Sequence, residues 1–279
     1  MPIELAPHNK RGLSLTSPLL AGSGAVGFGD AFPPGLGFAA FGAIVTTAVS
    51  IRPRSGAPPP RYAELPAGFL FHTGDHNPGF QRTIRSHAPT WRRAPCPILL
   101  ALAGGDAGDR VWMARRLEEE DLGIAGIELT VAEDDNLGEA SAFISAVRHA
   151  TTLPLLVKLP ATRAAHLAQT CVVAGADALV IGAAPPALYP AAGGELLEAP
   201  LAGPIALPFT LRALRHVAAL DLDAPLIASG GIHSLADVDL CFDLGANAVQ
   251  IRSLVWVDPA AAQQLAQELA QRTEDEHAA

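Results

Sequence analysis

The chain has 279 residues, a formal net charge of -9 at pH 7 and a pI near 5.4, so a phosphate backbone is repelled and nucleic acid is set aside as a partner. Hydrophobic residues make up 49% and charged residues 17%, enough to bury a sizeable core and to exclude wholesale disorder. Three dispersed cysteines show neither metal nor disulfide spacing, no apolar run nears the ~18 residues of a membrane span, and the N-terminus lacks a signal-peptide core; the expectation is a cytoplasmic protein.

In chain order, short and nearly continuous apolar runs recur: "PLLAGSG" (18–24), "AIVTTAV" (43–49), "PILLALAG" (97–104), "GIELTVA" (126–132), "LLVKLP" (155–160), "ALVIGAA" (178–184), "LIASGG" (226–231) and "AVQIRS" (248–253). Strands of a parallel sheet covered on both faces read this way. Between them "DRVWMARRLEEEDL", "LGEASAFISAVRHAT", "TRAAHLAQTCVVAG" and "PFTLRALRHVAAL" carry helical spacing, and "DPAAAQQLAQELAQR" closes the chain, with Asp258-Pro259 as N-cap and first helical position. Eight strands alternating with helices predict a single α/β domain over residues 1–279, a (β/α)8 TIM barrel, with a doubly wound sheet as the alternative. Residues 51–97 are the one long excursion, proline-rich, expected as an insertion after the second strand near the active-site face. "TEDEHAA" reads as a frayed, solvated end.

A barrel places its chemistry at the C-terminal ends of its strands. Lys158 stands out there, because an ammonium inside an apolar run needs a partner or a ligand anion; the plainer reading is a lysine snorkelling to the rim. Gly230 and Gly231, followed by a helix near Ser234, and Arg252-Ser253 at the next strand end suit a phosphate-bearing ligand, although a Gly-Gly turn also serves as a tight loop. "EDD" (133–135) follows the fourth strand, as catalytic acids or as a charged loop. His72, Asp75 and His76 have a spacing that metal ligands show, but a loop over the site is preferred and no metal is expected. His233 reads as an exposed loop histidine, Cys96 as structural, and Cys171 and Cys241 as core.

"GSGAVGFG" (22–29), the specific "PRSGAPPPR" (53–61), "HNPG" (76–79), "LPLLVKL", "AGADAL", "LAGP", "ASGGI" and "GANAVQI" follow one another in an order that resembles the dihydroorotate dehydrogenase family over almost the whole chain. The resemblance implies an FMN-binding barrel of the soluble class, an oxidoreductase of pyrimidine biosynthesis in which a base takes a proton while hydride passes to the flavin. It implies FMN contacts at Ser23, Gly24, Thr46, Thr47, Lys158, Gly203, Gly230, Gly231, Arg252 and Ser253, and substrate contacts at Phe71, Thr73, Gly74, Asn77, Thr130 and Asp135. It also implies a homodimer and, in one class, an electron-transfer subunit.

The departures are as specific. Where the family ends its fourth strand in Asn-Ile-Ser-Cys-Pro-Asn, this chain has Thr130, Val131, Ala132, Glu133, Asp134 and Asp135. The second-strand lysine is Thr47, an orotate-holding asparagine is Phe71, another falls near Ala183, and a phosphate-site glycine is Arg252. Two like charges ~4 Å apart cost roughly 4 kcal/mol at an effective dielectric near 20, so Glu133 and Asp134 oppose a substrate carboxylate. The expectation is therefore an enzyme acting on dihydroorotate or, by preference, on a different small substrate, with Glu133 and Lys158 as catalytic residues and Glu133 as base, its proton held by burial and neighbouring carboxylates. The alternative is a non-catalytic homologue with a structural, regulatory or ligand-binding role.

Overall fold

The computed structural model describes residues 3–278, and side chains as far as residue 272. Among these, eight parallel strands close a barrel in sequence order: β1 (Leu19–Ala21), β2 (Ala43–Val45), β3 (Ile98–Leu102), β4 (Gly126–Thr130), β5 (Leu155–Pro160), β6 (Ala178–Ala183), β7 (Leu226–Ser229) and β8 (Ala248–Ile251). Each falls inside one of the eight apolar runs. The runs look continuous because alternate residues face the barrel interior and the surrounding helices, and both environments are dry.

The helices are α1 (Phe80–Trp91), α2 (Ala107–Glu119), α3 (Leu137–Ala150), α4 (Ala164–Val173), α5 (Leu207–Ala218), α6 (Leu235–Asp243), α7 (Ser253–Val257) and α8 (Pro259–Ala278). Their starts are set by local chemistry. Asn136 and Glu139 form a capping box at α3, Ser234 and Asp237 another at α6, and Asp258 accepts from the Ala261 amide at 3.0 Å before α8. A 3-10 turn, Phe38–Ala40, stands where a helix after β1 would be, and α8 returns to pack on it. Helix α8 takes in most of "TEDEHAA", whose side chains lie outside those described.

Two features differ from expectation. The excursion after β2 is shorter than 51–97, because Phe80–Trp91 is an ordinary barrel helix whose interior Pro89 obscures its pattern. A second excursion follows β6: a hairpin of Pro186–Pro190 and Leu196–Ala202. Its inner strand pairs with the Tyr62–Leu65/Gly68–Phe71 hairpin from the first excursion, giving a four-stranded sheet with its own small core of Ala63, Leu70, Leu197, Ala199 and Leu201. Ile3–Glu4 and Ser14–Leu15 form a ribbon whose Leu5, Leu13 and Leu15 join Leu20, Val45, Leu99, Leu156 and Val180 in the barrel interior.

Glu118 joins α2 to the chain around β5. It accepts from the Arg11 guanidinium at 2.6 Å and from the Thr151 hydroxyl, the Thr152 amide and the Thr152 hydroxyl, each at 2.8 Å. Burial pushes its pKa up, but the hydrogen bonds and Arg11 outweigh that and hold it at about 2. The folded value lies below the unfolded one, so this stabilisation is complete above the ordinary carboxylate range and is lost as pH falls towards 2. Glu118→Gln is expected to lower stability by about 2–3 kcal/mol near neutrality, and the deficit should vanish in acid. Urea unfolding of both proteins across that range checks it; a deficit constant with pH contradicts it.

Candidate active site

A cavity of about 410 Å³ opens at the C-terminal ends of the barrel strands. Its floor is the inward face of three strands. Lys158 on β5 and Gln250 on β8 each stand two residues after an interior apolar residue, Leu156 and Ala248, and so point the same way. Glu128 on β4 joins them. Lys158 Nζ donates to Gln250 Oε1 at 3.0 Å, and Gln250 Nε2 donates to Glu128 Oε2 at 2.7 Å. Lys158 Nζ also lies 3.9 Å from Glu128 Oε1, a buried oxygen with no hydrogen-bond partner among the described residues. Burial pushes the Lys158 pKa down, Glu128 opposes that, and nearby Arg252 adds to it. Lysine at this position is therefore held by an internal partner rather than snorkelling to solvent.

Arg252, at the end of β8, lines the same cavity. Its guanidinium stacks on Trp256, 5.2 Å from the ring centroid. Trp256 is fixed by an indole N–H donated to the Ala25 carbonyl at 3.0 Å and meets the edge of Phe71 with ring centroids 5.2 Å apart. Two of the departures, Phe71 and Arg252, thus meet through one tryptophan. Burial pushes the Arg252 pKa down and Glu128 opposes it.

The loop after β4 is well tied. Asp135 accepts from the Ala132 amide at 2.7 Å, and Arg163 donates to the Glu133 and Asp135 carbonyls at 2.6 and 2.7 Å. Glu133 lines the cavity, and its Oε1 accepts from the Thr162 hydroxyl. It is exposed, so the burial expected of it is absent. Asp134 is exposed and stands outside the lining, and the Asp135 carboxylate serves the loop itself.

Ser23, Thr130, Lys158, Gly203, Gly230, Gly231, Arg252 and Ser253 come together in the lining, as does Glu133. Gly24, Thr46, Thr47, Phe71, Thr73, Gly74, Asn77 and Asp135 stand outside it. Thr46 is fully buried, its hydroxyl donating to the Thr47 carbonyl at 3.0 Å and accepting from the Ala101 amide at 3.3 Å. Asn77 is a buried bracket: it donates to Ser50 Oγ and the Asp75 carbonyl at 3.0 and 2.7 Å and accepts from the Gly79 amide at 2.9 Å. Both ends of its amide are engaged within the protein. Phe71 supports Trp256 from behind.

The glycine pair has a packing reason of its own. A Cβ on Gly231 would lie 2.1 Å from the Leu207 nitrogen, so close approach to the start of α5 already demands glycine there. His233 is half-buried rather than an exposed loop residue; its Nε2 lies 2.8 Å from Ser253 Oγ, and burial pushes its pKa down against the pull of Asp237. Asp75 pairs with Arg54 at 3.1 Å at the cavity edge, while His72 and His76 are exposed. Cys96, Cys171 and Cys241 are buried, with thiols pushed up by burial to about 11, about 12 and about 12.

Glu128 and Gln250 were missed in the sequence. The signal was present for Glu128: it is an acid inside an apolar run, the feature that singled out Lys158.

A family model described as dihydroorotate dehydrogenase matches residues 7–273. The catalytic subunit of dihydroorotate dehydrogenase B (NAD(+)) from Desulforudis audaxviator is 32% identical over 283 residues, covering 93% of this chain and 90% of its own. The subunit of the same name from Geotalea uraniireducens is 33% identical over 281 residues, covering 92% and 89%. A crystal structure of DHODH from Eimeria tenella in complex with ferulenol matches with a TM-score of 0.75 at 15% identity, over 96% of this chain and 83% of that one, a likeness of fold.

Proposed function

The chain belongs to the dihydroorotate dehydrogenase family, and on that premise we propose that it is an FMN-dependent oxidoreductase of the dihydroorotate dehydrogenase type, acting on a small substrate other than dihydroorotate. The observation that carries this reading is Lys158, fixed in the cavity floor by Gln250 with Glu128 behind it. The residues present suit FMN. The cavity lies in the size range of small-molecule sites. Lys158 has ammonium hydrogens to spare beyond the one given to Gln250, and the Arg252 guanidinium makes no side-chain hydrogen bond among the described residues. Bound there, FMN would supply a two-electron acceptor.

The chain's own groups do the rest. Lys158 sets a positive charge against an electron-rich ligand edge. Arg252 offers a planar fork of donors for a phosphate or carboxylate, held in place by Trp256. Ser23, Ser253 and the backbone around Gly230 and Gly231 bound the site. Glu133 is the one acid of the loop in the lining whose side chain does not serve the loop backbone, so it takes the role of base, oriented by Thr162. Phe71 and Ala183 offer no amide for recognising an orotate ring, and Glu133 opposes a substrate carboxylate, which is why the proposed substrate differs.

The relatives are named as catalytic subunits of an NAD(+) enzyme, which supports a partner subunit that carries electrons onward; a homodimeric core and a cytoplasmic setting belong to the proposal on the family resemblance alone. Among the described residues no helix is long and apolar enough to cross a membrane. Anaerobic mixing of the FMN-loaded protein with dihydroorotate and with other small reduced cyclic acids and amides tests the reading. Bleaching of the flavin is expected with one of the latter and weakly or not at all with dihydroorotate. Rapid orotate formation overturns the altered specificity. Flavin that stays oxidised with every compound favours the non-catalytic alternative, for which the missing family base is the motive.

A further inference from the structure

Both partners of Lys158 lead to Glu128. Gln250 gives its oxygen to the lysine and its nitrogen to the carboxylate, and the opposite orientation would set donor against donor and acceptor against acceptor. The orientation of Gln250, and with it the position of the ammonium, is therefore dictated from Glu128. That side chain is 1% exposed, and its second oxygen has no hydrogen-bond partner among the described residues. A buried carboxylate with an empty acceptor is costly, and an apolar side chain would fill the place without that cost. The charged groups around Lys158 are Glu128 from β4 and Arg252 from the end of β8, with Glu133 and the Arg54-paired Asp75 at the rim.

We infer that Glu128 is a positioning residue: it keeps Lys158 protonated and, by way of Gln250, aimed into the cavity, so that the site presents a fixed cation to an anionic ligand. The directions of the Lys158 shifts agree, with burial and Arg252 acting against the charge and Glu128 for it. The consequence for flavin rests on the function proposed above; the charge coupling itself does not.

The chain has only two lysines, Lys10 and Lys158, so protein labelled with 13C at the lysine ε carbon gives two signals, and Lys158→Gln assigns them. In the unloaded protein Glu128→Gln is expected to move the Lys158 titration midpoint down by about one pH unit or more, a tenfold loss of proton affinity. Glu128→Asp should retain most of it, and Arg252→Gln should move the midpoint up. Should Glu128→Gln not fold, the Glu128→Gln/Arg252→Gln double variant compared with Arg252→Gln carries the same comparison with fewer buried charges. With FMN bound, Glu128→Gln should shift the balance of affinities about tenfold from reduced towards oxidised FMN, equal to about 30 mV for a two-electron couple. Wild-type protein that takes up no FMN overturns the proposed function and leaves the titration to decide this inference. Coincident Lys158 midpoints with and without Glu128 overturn the inference whatever FMN does.

Discussion

Glu133→Gln is expected to slow substrate oxidation by about 10²–10⁴-fold, the usual contribution of a positioned general base, with little change in FMN affinity. Three acids follow β4, and only this one combines a place in the cavity wall with a side chain not spent on the loop backbone. Asp135 holds the Ala132 amide at 2.7 Å and so shapes the turn, and Asp134 stands outside the lining. Asp134→Asn should therefore be near neutral, whereas Asp135→Asn should disturb the loop rather than the chemistry. The loop is stiff enough for a catalytic group, since Arg163 grips two of its carbonyls and the Asn136–Glu139 capping box ends it. Single-turnover measurements of flavin reduction separate this chemical step from binding. A Glu133→Gln protein that reduces its flavin at the wild-type rate removes Glu133 from the mechanism.

Lys158→Gln should have the second large effect, and on two properties at once. The loss of a charged donor from the cavity floor should weaken FMN binding by about 10–100-fold, given ~1.5–3 kcal/mol for a hydrogen bond to a charged group. It also strands Glu128, whose oxygen at 3.9 Å from Nζ has no other partner among the described residues. Breaking a buried pair on one side costs about 3–5 kcal/mol. Adding Glu128→Gln to Lys158→Gln should therefore recover much of the stability but none of the FMN affinity. Urea unfolding and FMN titration of both singles and the double close that cycle. If the double variant is less stable than Lys158→Gln alone, the two residues are not a pair.

The legible part of the fold was its barrel. All eight strands lie within apolar runs, because burial on both faces writes itself into consecutive residues. The four-stranded sheet was not legible. Its strands are half-exposed, and prolines bracket "PALYP", so neither alternation nor continuity marks them. Helix α1 disappeared behind Pro89 and a polar composition.

The site divided along a similar line. Lys158 was found because a charge in an apolar run is conspicuous, and Glu128 was overlooked in "GIELT" although it is the same signal with the opposite sign. Gln250 gains meaning only through partners 92 and 122 residues away, a relation that no local pattern contains. Gly231 reads two ways at once, since a glycine that suits a phosphate also suits the close approach of Leu207. Asn77 and Thr46 sit beside the site by sequence order, yet their side-chain polar atoms are engaged by the backbone around them and, for Asn77, by the Ser50 hydroxyl.

The most direct test of the central claim is the absorbance spectrum of the purified protein, recorded alone and during titration with FMN. The account predicts a flavin spectrum, as isolated or after addition, that saturates at one FMN per chain, with weaker binding in Lys158→Gln. A protein that stays colourless and leaves the spectrum of added FMN unperturbed contradicts it.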